Sequence, residues 1–240
     1  FAGIVSRLPS GIYQAYNLIR VGTLNILLLL VFAVFAIVVI AGVIAIQQAE
    51  RRVPVQYAKR VVGRRVYGGQ STHIPMKLNA AGVIPVIFAM SILLFPSTMA
   101  GFFPNSKIMV SIANFLSPGR WVYAVLYTLL IIFFTYFYTA ITFNPIEVAD
   151  NMKKYGGFIP GIRPGRSTAE YLNRIMTRIT LVGAIFLAII AIMPYAITGI
   201  TGLNISFGGT ALLIVVGVAL ETMQQIEAQM LMRHYQGFLK

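Results

Sequence analysis

Five long apolar stretches punctuate the chain, at residues 24–46, 80–101, 121–143, 179–200 and about 210–232. A bilayer's hydrocarbon core is about 30 Å thick and a helix rises about 1.5 Å per residue, so roughly 20 apolar residues make one crossing. Each stretch therefore predicts a transmembrane helix. The first, LNILLLLVFAVFAIVVIAGVIAI, has Asn25 as its only strongly polar side chain. The second carries no charge but contains Pro85 and Pro96, the third is aromatic throughout, and the fourth includes Pro194. The fifth continues as LETMQQIEAQMLM and is amphipathic in its second half. The fold class predicted by this pattern is all-α, a polytopic membrane protein with five spans.

The long polar links differ in kind. Within residues 47–79, VPVQYAKRVVGRRVYGG alternates apolar and polar residues on both sides of Gly63. That is the period of a twisted β-hairpin, here standing out from the membrane as an arm. Residues 144–178 begin with the helix-stopping pair Asn144-Pro145 and run through GGFIPGIRPG, where proline and glycine stiffen the turns. Ser167 and Glu170 then have capping-box spacing, predicting a helix that carries Arg174 and Arg178 into the fourth span. Residues 1–23 are expected to be an external segment after a preceding helix, because FAGIVSRLPSG has no charged region ahead of its short apolar run.

Composition and charge then orient the spans. The chain is 58% hydrophobic and 10% charged, whereas a water-soluble surface takes about a quarter of charged residues. Its 19 Lys and Arg outnumber 6 Asp and Glu, and the excess is placed unevenly. Residues 47–79 hold seven cations and one acid, and 144–178 hold six cations and three acids, while 102–120 hold two cations and 201–209 none. Lys and Arg stay on the cytoplasmic side during insertion, so loops 47–79 and 144–178 are expected to be cytoplasmic, with the C-terminus inside. All five spans agree with that one orientation. Cysteine is absent, which rules out disulfides and thiolate metal sites within the chain.

Candidates for chemistry are few. His73 and His234 lie in different segments without metal-ligand spacing, and no glycine loop for phosphate is present. Ser91, Ser97 and Thr98 lack a base at suitable spacing, so their hydroxyls are expected to bond to the preceding helical turn. No catalytic residue, cofactor or metal site is assigned, and the chain does not read as an enzyme. Glu221, about midway along the last span, reads either as a proton or ion relay or as a carboxylate facing a hydrated cavity with Gln224, Gln225 and Glu227. Pro85 reads as a packing kink or as a hinge. The arm's cations, Lys59, Arg60, Arg64 and Arg65 with Tyr57 and Tyr67 flanking them, suit plain topology and contact with anionic lipid, or docking of phosphate backbones or an acidic protein surface.

Three blocks carry a resemblance: YAKRVVGRRVYGGQSTHIPMKLNAAGVIPVIFA, FNPIEVADNMKKYGGFIPGIRPG and FGGTALLIVV. In this order they closely resemble the SecY family, channel subunits of the bacterial protein translocon. The resemblance extends over essentially all 240 residues and covers the C-terminal half of the family's ten-helix subunit, from the outer end of helix five through helix ten. It implies half of a ten-helix pseudo-symmetric channel in the bacterial plasma membrane. Such a channel passes unfolded polypeptides across the membrane and releases hydrophobic segments laterally into lipid. By the same resemblance Ile87 and Ile214 belong to the pore ring, Pro85 and Ser91 to one wall of the lateral gate, and Lys59, Arg60, Arg64, Arg65 and Arg163 to the surfaces that bind the ribosome or the SecA ATPase. The partners implied are the N-terminal half of the channel, small SecE- and SecG-like subunits, SecA, the ribosome and its RNA, and substrates bearing signal peptides. A solute permease half is the alternative reading, since it too combines apolar helices, proline kinks and cytoplasmic coupling loops. It requires polar groups near the midplane, where these spans offer little beyond Ser91 and Glu221.

Overall fold

The structure, a computed structural model, describes residues 26–57, 60–62, 65–67, 71–201 and 209–236. The expected external segment 1–23 lies outside the described residues, as do Lys59, Gly63 and Arg64. Helix α1 (Ile26–Gln48) is followed by strands β1 (Glu50–Tyr57), β2 (Arg60–Val62), β3 (Arg65–Tyr67) and β4 (Ser71–Lys77). Helices α2 (Ile84–Phe102), α3 (Lys107–Phe115), α4 (Trp121–Thr142) and α5 (Pro145–Lys154) come next, then strand β5 (Gly157–Phe158) and helices α6 (Arg166–Thr201) and α7 (Gly209–Gln236). Among the described residues, α2, the stretch beginning with α4, and α6 as far as Tyr195 are long and apolar enough to cross a membrane. The expectation of an all-α chain gives way to a mostly helical one, with two small antiparallel sheets among the described residues.

The membrane helices pack through stripes spaced by whole turns. Helix α4 buries Tyr123, Tyr127, Ile131, Thr135 and Thr139, a strict four-residue repeat that keeps one side against its neighbours α2 and α6. Thr135 and Thr139 are small, and the Thr135 hydroxyl donates to the Ile131 carbonyl at 2.6 Å, so its polar atom is paired within its own helix in a dry interface. Helix α6 answers with Ala184, Leu187, Ala188 and Ala191, all buried. Two bonds tie this pair. The Tyr136 hydroxyl donates to the Thr177 carbonyl at 3.0 Å, and the Tyr123 and Tyr195 hydroxyls meet at 3.4 Å.

Two prolines expected within the second span part company. Helix α2 starts at Ile84, and Pro85 occupies its first turn, where no backbone N–H is needed. The kink reading of Pro85 therefore gives way, because a kink needs a proline inside the helix. Pro96 is the interior proline of α2, as Pro194 is of α6. The turn ahead of α2 runs through Gly82, whose φ of +62° is readily adopted only without a side chain.

The fifth expected span corresponds to α7, which is apolar only from Ala211 to Leu220, about 15 Å of helix. From Glu221 to Met230 every residue is exposed. The start of α6 also differs from the sequence expectation. Ser167 lies inside the helix, and the Glu170 carboxylate accepts from Arg166 Nε at 3.2 Å, so no capping box forms. Thr168, buried, donates its hydroxyl to the Arg163 carbonyl at 2.9 Å.

The loops between spans form a second core. Strand β1 pairs antiparallel with β4, Val53 opposite Ile74 and Val55 opposite Thr72, and it buries Val53 and Val55 on one face while its neighbours stay exposed. Its other edge pairs with β5, Gln56 opposite Phe158 and Tyr57 opposite Gly157. Pro54 has no N–H to give, and it precedes the stretch that β5 reaches. Met76, Met152, Ile159 and Leu172 complete a core shared by β1, β4, α5 and α6. The alternation read as a hairpin is present in two tiers, β1 with β4 at the base and β2 with β3 towards the tip, Val62 opposite Arg65.

Asn144 caps α5. Its Oδ1 accepts from the backbone N–H of Ile146 at 3.2 Å and of Glu147 at 3.4 Å, with Pro145 at the first helical position. Asn144→Ala is expected to cost about 1 kcal/mol locally, read as roughly fivefold faster hydrogen exchange of the α5 amides and unchanged exchange in α4.

Candidate functional site

Ile87 and Ile214 come from helices far apart in sequence and line one cleft of about 480 Å³. Packing dictates both orientations. Helix α2 turns Pro85, Val86, Ala89 and Leu93 inward, which leaves Ile84, Ile87, Phe88 and Ser91 on its outer faces. Phe88 stacks on Phe134 of α4 at 5.7 Å. Helix α7 buries Leu213 and Val216, and Ile214, between them in sequence, is half-buried and turned to the cleft.

The cleft changes character along its length. Val83, Ile84, Ile87, Ile214 and Val218 give it an apolar part, while Gln47, Gln48, Lys77, Asn79, Glu221 and Gln224 supply amides and both signs of charge. Asn79 is buried, and its Oδ1 has no hydrogen-bond partner among the described residues. Glu221 and Gln224 are both exposed on the cleft wall. Among the described residues no three His, Asp or Glu gather where they could hold a metal.

The other expected site residues fall elsewhere. Ser91 shares a helix face with Ile87, one turn on, and donates to the Ile87 carbonyl at 2.8 Å. Thr98 donates likewise to Leu94 at 3.0 Å, so both hydroxyls are satisfied within their own helix. Pro85 is buried on another side of α2, away from Ser91. Arg60 and Arg65 stand on β2 and β3, with Arg60 opposite Tyr67. Arg163 lies on the turn ahead of α6, between Gly161 at φ +81° and Gly165 at φ +104°. Ile162 beside it packs on the core under the sheet, and the bond from Thr168 fixes the Arg163 carbonyl. Through the pairing of β1 with β5, the base of the basic arm and the Arg163 turn belong to one packed unit. Sequence reasoning missed that unit, because a two-residue strand has no periodicity to read. It missed Thr168 for a smaller reason: Ser167 and Thr168 are adjacent, and only the helix start tells which hydroxyl faces the turn.

The SecY family model matches residues 1–223. The chain belongs to the SecY family. It is similar over all of its 240 residues to proteins described as protein translocase subunit SecY, at 50% identity in Thermotoga maritima and 51% in Thermus thermophilus. It covers 54% and 55% of those two proteins, so the chain spans about half the length of the curated relatives it matches. A solved structure described as "The structure of a protein conducting channel" superposes on 91% of this chain and 53% of its own, with a TM-score of 0.55 at 17% identity. This likeness is one of fold, and it agrees with a mostly helical SecY-family chain carrying several membrane spans.

Proposed function

We propose that this chain forms half of a bacterial protein-conducting channel, with Ile87 and Ile214 as its share of a pore ring. The observation that carries the reading is that these two residues, 127 positions apart, line the same cleft. Branched aliphatic side chains opposed across a passage make a constriction that water enters reluctantly. They part around a polypeptide without needing specific bonds. The amide-rich end of the cleft hydrates the approach to it. The apolar outer faces of α2 and α4, with Phe95, Leu129, Phe133 and Phe137 exposed, suit lipid and the N-terminal half of the channel, and the face of α2 carrying Ser91 suits one wall of a lateral gate.

In this reading small SecE- and SecG-like subunits brace the channel in the plasma membrane, and signal-peptide-bearing chains are the substrates. The chain performs no covalent chemistry. The ribosome drives translocation by elongation, or SecA by ATP hydrolysis, each docking on the arm cations Lys59, Arg60, Arg64 and Arg65 and on Arg163, while the arm's base rests near anionic lipid. Docking biases the pore because the partner binds its open and closed states unequally. A preprotein arrested in transit is expected to crosslink to a photoreactive probe at position 87 in the complete channel. Absence of that crosslink together with saturable uptake of a small solute would favour the permease alternative.

Reversing Arg64 and Arg65 to glutamate is expected to weaken ribosome or SecA docking by tenfold or more at low salt. The expected loss shrinks as ionic strength rises, since salt screens attraction between exposed charges. Helical content should not change, because both residues belong to the arm and not to the membrane helices. Sedimentation binding across a salt series checks this, and equal affinities at every salt concentration would remove these cations from the docking surface.

A further inference from the structure

Helix α3 buries none of its nine residues, although six of them are apolar. They are sorted by angle. Lys107, Ser111 and Asn114 form a polar stripe, Met109 and Ala113 are half-buried towards the fold, and Ile108, Ile112 and Phe115 form an exposed apolar stripe between the two. Ile108 is 73% exposed. The helix touches α2, and Leu116 just after it packs on the membrane core.

Its surroundings say what covers the open stripe. Helix α2 ends at Phe102 and α4 begins at Trp121, both at the same membrane face, and linkers of about four and five residues reach only some 14–17 Å. The α3 helix is thus held at the bilayer surface. Trp121, of a residue type that settles at headgroup level, is exposed beside it, as are the apolar rings of Phe102 and Phe103. No Asp or Glu occurs between residues 80 and 146, and the link itself adds Lys107 and Arg120, which complement phosphate headgroups.

We propose that α3 lies flat in the lipid interface, with Ile108, Ile112 and Phe115 sunk between headgroups and acyl chains and the Lys107 stripe turned to water. The phospholipid leaflet is then the partner of this face, and α3 holds the ends of α2 and α4 at a set depth. The chain contains no cysteine, so a single one introduced at 108, 111 or 112 is unique within it.

The test uses the complete channel, freed of cysteines elsewhere, in vesicles of phosphatidylethanolamine and phosphatidylglycerol with a nitroxide on that cysteine. Collisional relaxation is expected to be severalfold stronger with oxygen than with a water-soluble nickel chelate at I108C and I112C, and the order reversed at S111C. Nickel reaching I108C and I112C as readily as S111C would place the stripe in water and overturn the proposal. Neither reagent reaching them would show a protein cover instead, with the same result. Positions 108 and 112 test one stripe independently, so a variant that fails to assemble leaves the other to decide.

Discussion

Replacing Ile87 by lysine is expected to make the resting channel conduct ions. Ile87 lies on the cleft side of α2, not among Val86, Ala89 and Leu93 on the buried side, so the substitution leaves the helix packing in place. What it removes, on the pore-ring proposal, is the dryness of the constriction. Each apolar methylene withheld from water is worth about 0.8 kcal/mol, and an ammonium group brings its own hydration shell into a gap that was closed by side chains alone. Lowering the barrier to hydration by ~1.4 kcal/mol raises passage tenfold, and an ammonium whose desolvation costs several kcal/mol keeps its water and exceeds that. Complete channels carrying Ile87→Lys, reconstituted in planar bilayers without substrate, should therefore leak at least tenfold above the parent. Ile87→Leu, similar in volume and equally dry, should stay closed. Parental conductance in the lysine variant would end the pore-ring assignment.

The second large effect concerns the joint between the arm and the membrane helices. A Cβ placed on Gly183 of α6 would stand 2.6 Å from the Leu78 carbonyl oxygen, a backbone atom that cannot rotate away. Leu78 is itself held, its N–H donating to the Ala49 carbonyl at 2.9 Å, and it leads directly into Asn79 and the turn before α2. Gly183→Ala must therefore push the base of the arm off α6, and overpacking of this kind costs about 1–3 kcal/mol. Gly42 in α1 offers the contrast, since nothing lies within 4 Å of a Cβ built there. The same substitution at Gly42 should be neutral or stabilise by about 0.5–1 kcal/mol, because alanine loses less backbone freedom in a helix. Thermal unfolding of the two purified variants should shift in opposite directions, or shift at Gly183 alone. Equal destabilisation at both positions would mean that the close approach at Gly183 does not control stability.

Features with a strong local signal are legible in the sequence. The spans at α2, α4 and α6 follow from apolar length, and the hairpin character of the arm follows from alternation around Gly63. The back-bonding of Ser91 and Thr98 follows from the absence of any other partner in an apolar helix. Boundaries are less legible where two residues can serve one role. The start of α2 falls at Ile84 and not earlier, because a proline is compatible both with a helix interior in a membrane and with a first turn. The capping box at Ser167 loses to the pairing of Glu170 with Arg166. Helix α3 escapes a reading by hydropathy because nine residues are too few to separate from a polar link.

By itself the amino-acid order determined that this is a membrane protein, which of its links concentrate the cations and, through three separated motifs, its family. Those are properties of composition and local spacing, which act on a segment whatever surrounds it. Tertiary structure alone decided that Ile87 and Ile214 line one cleft, that β5 joins the two basic loops into one unit, and that Gly183 lies against Leu78. Such facts depend on which faces of distant segments come together. That choice is made by the packing of whole stripes, and no single segment carries the information.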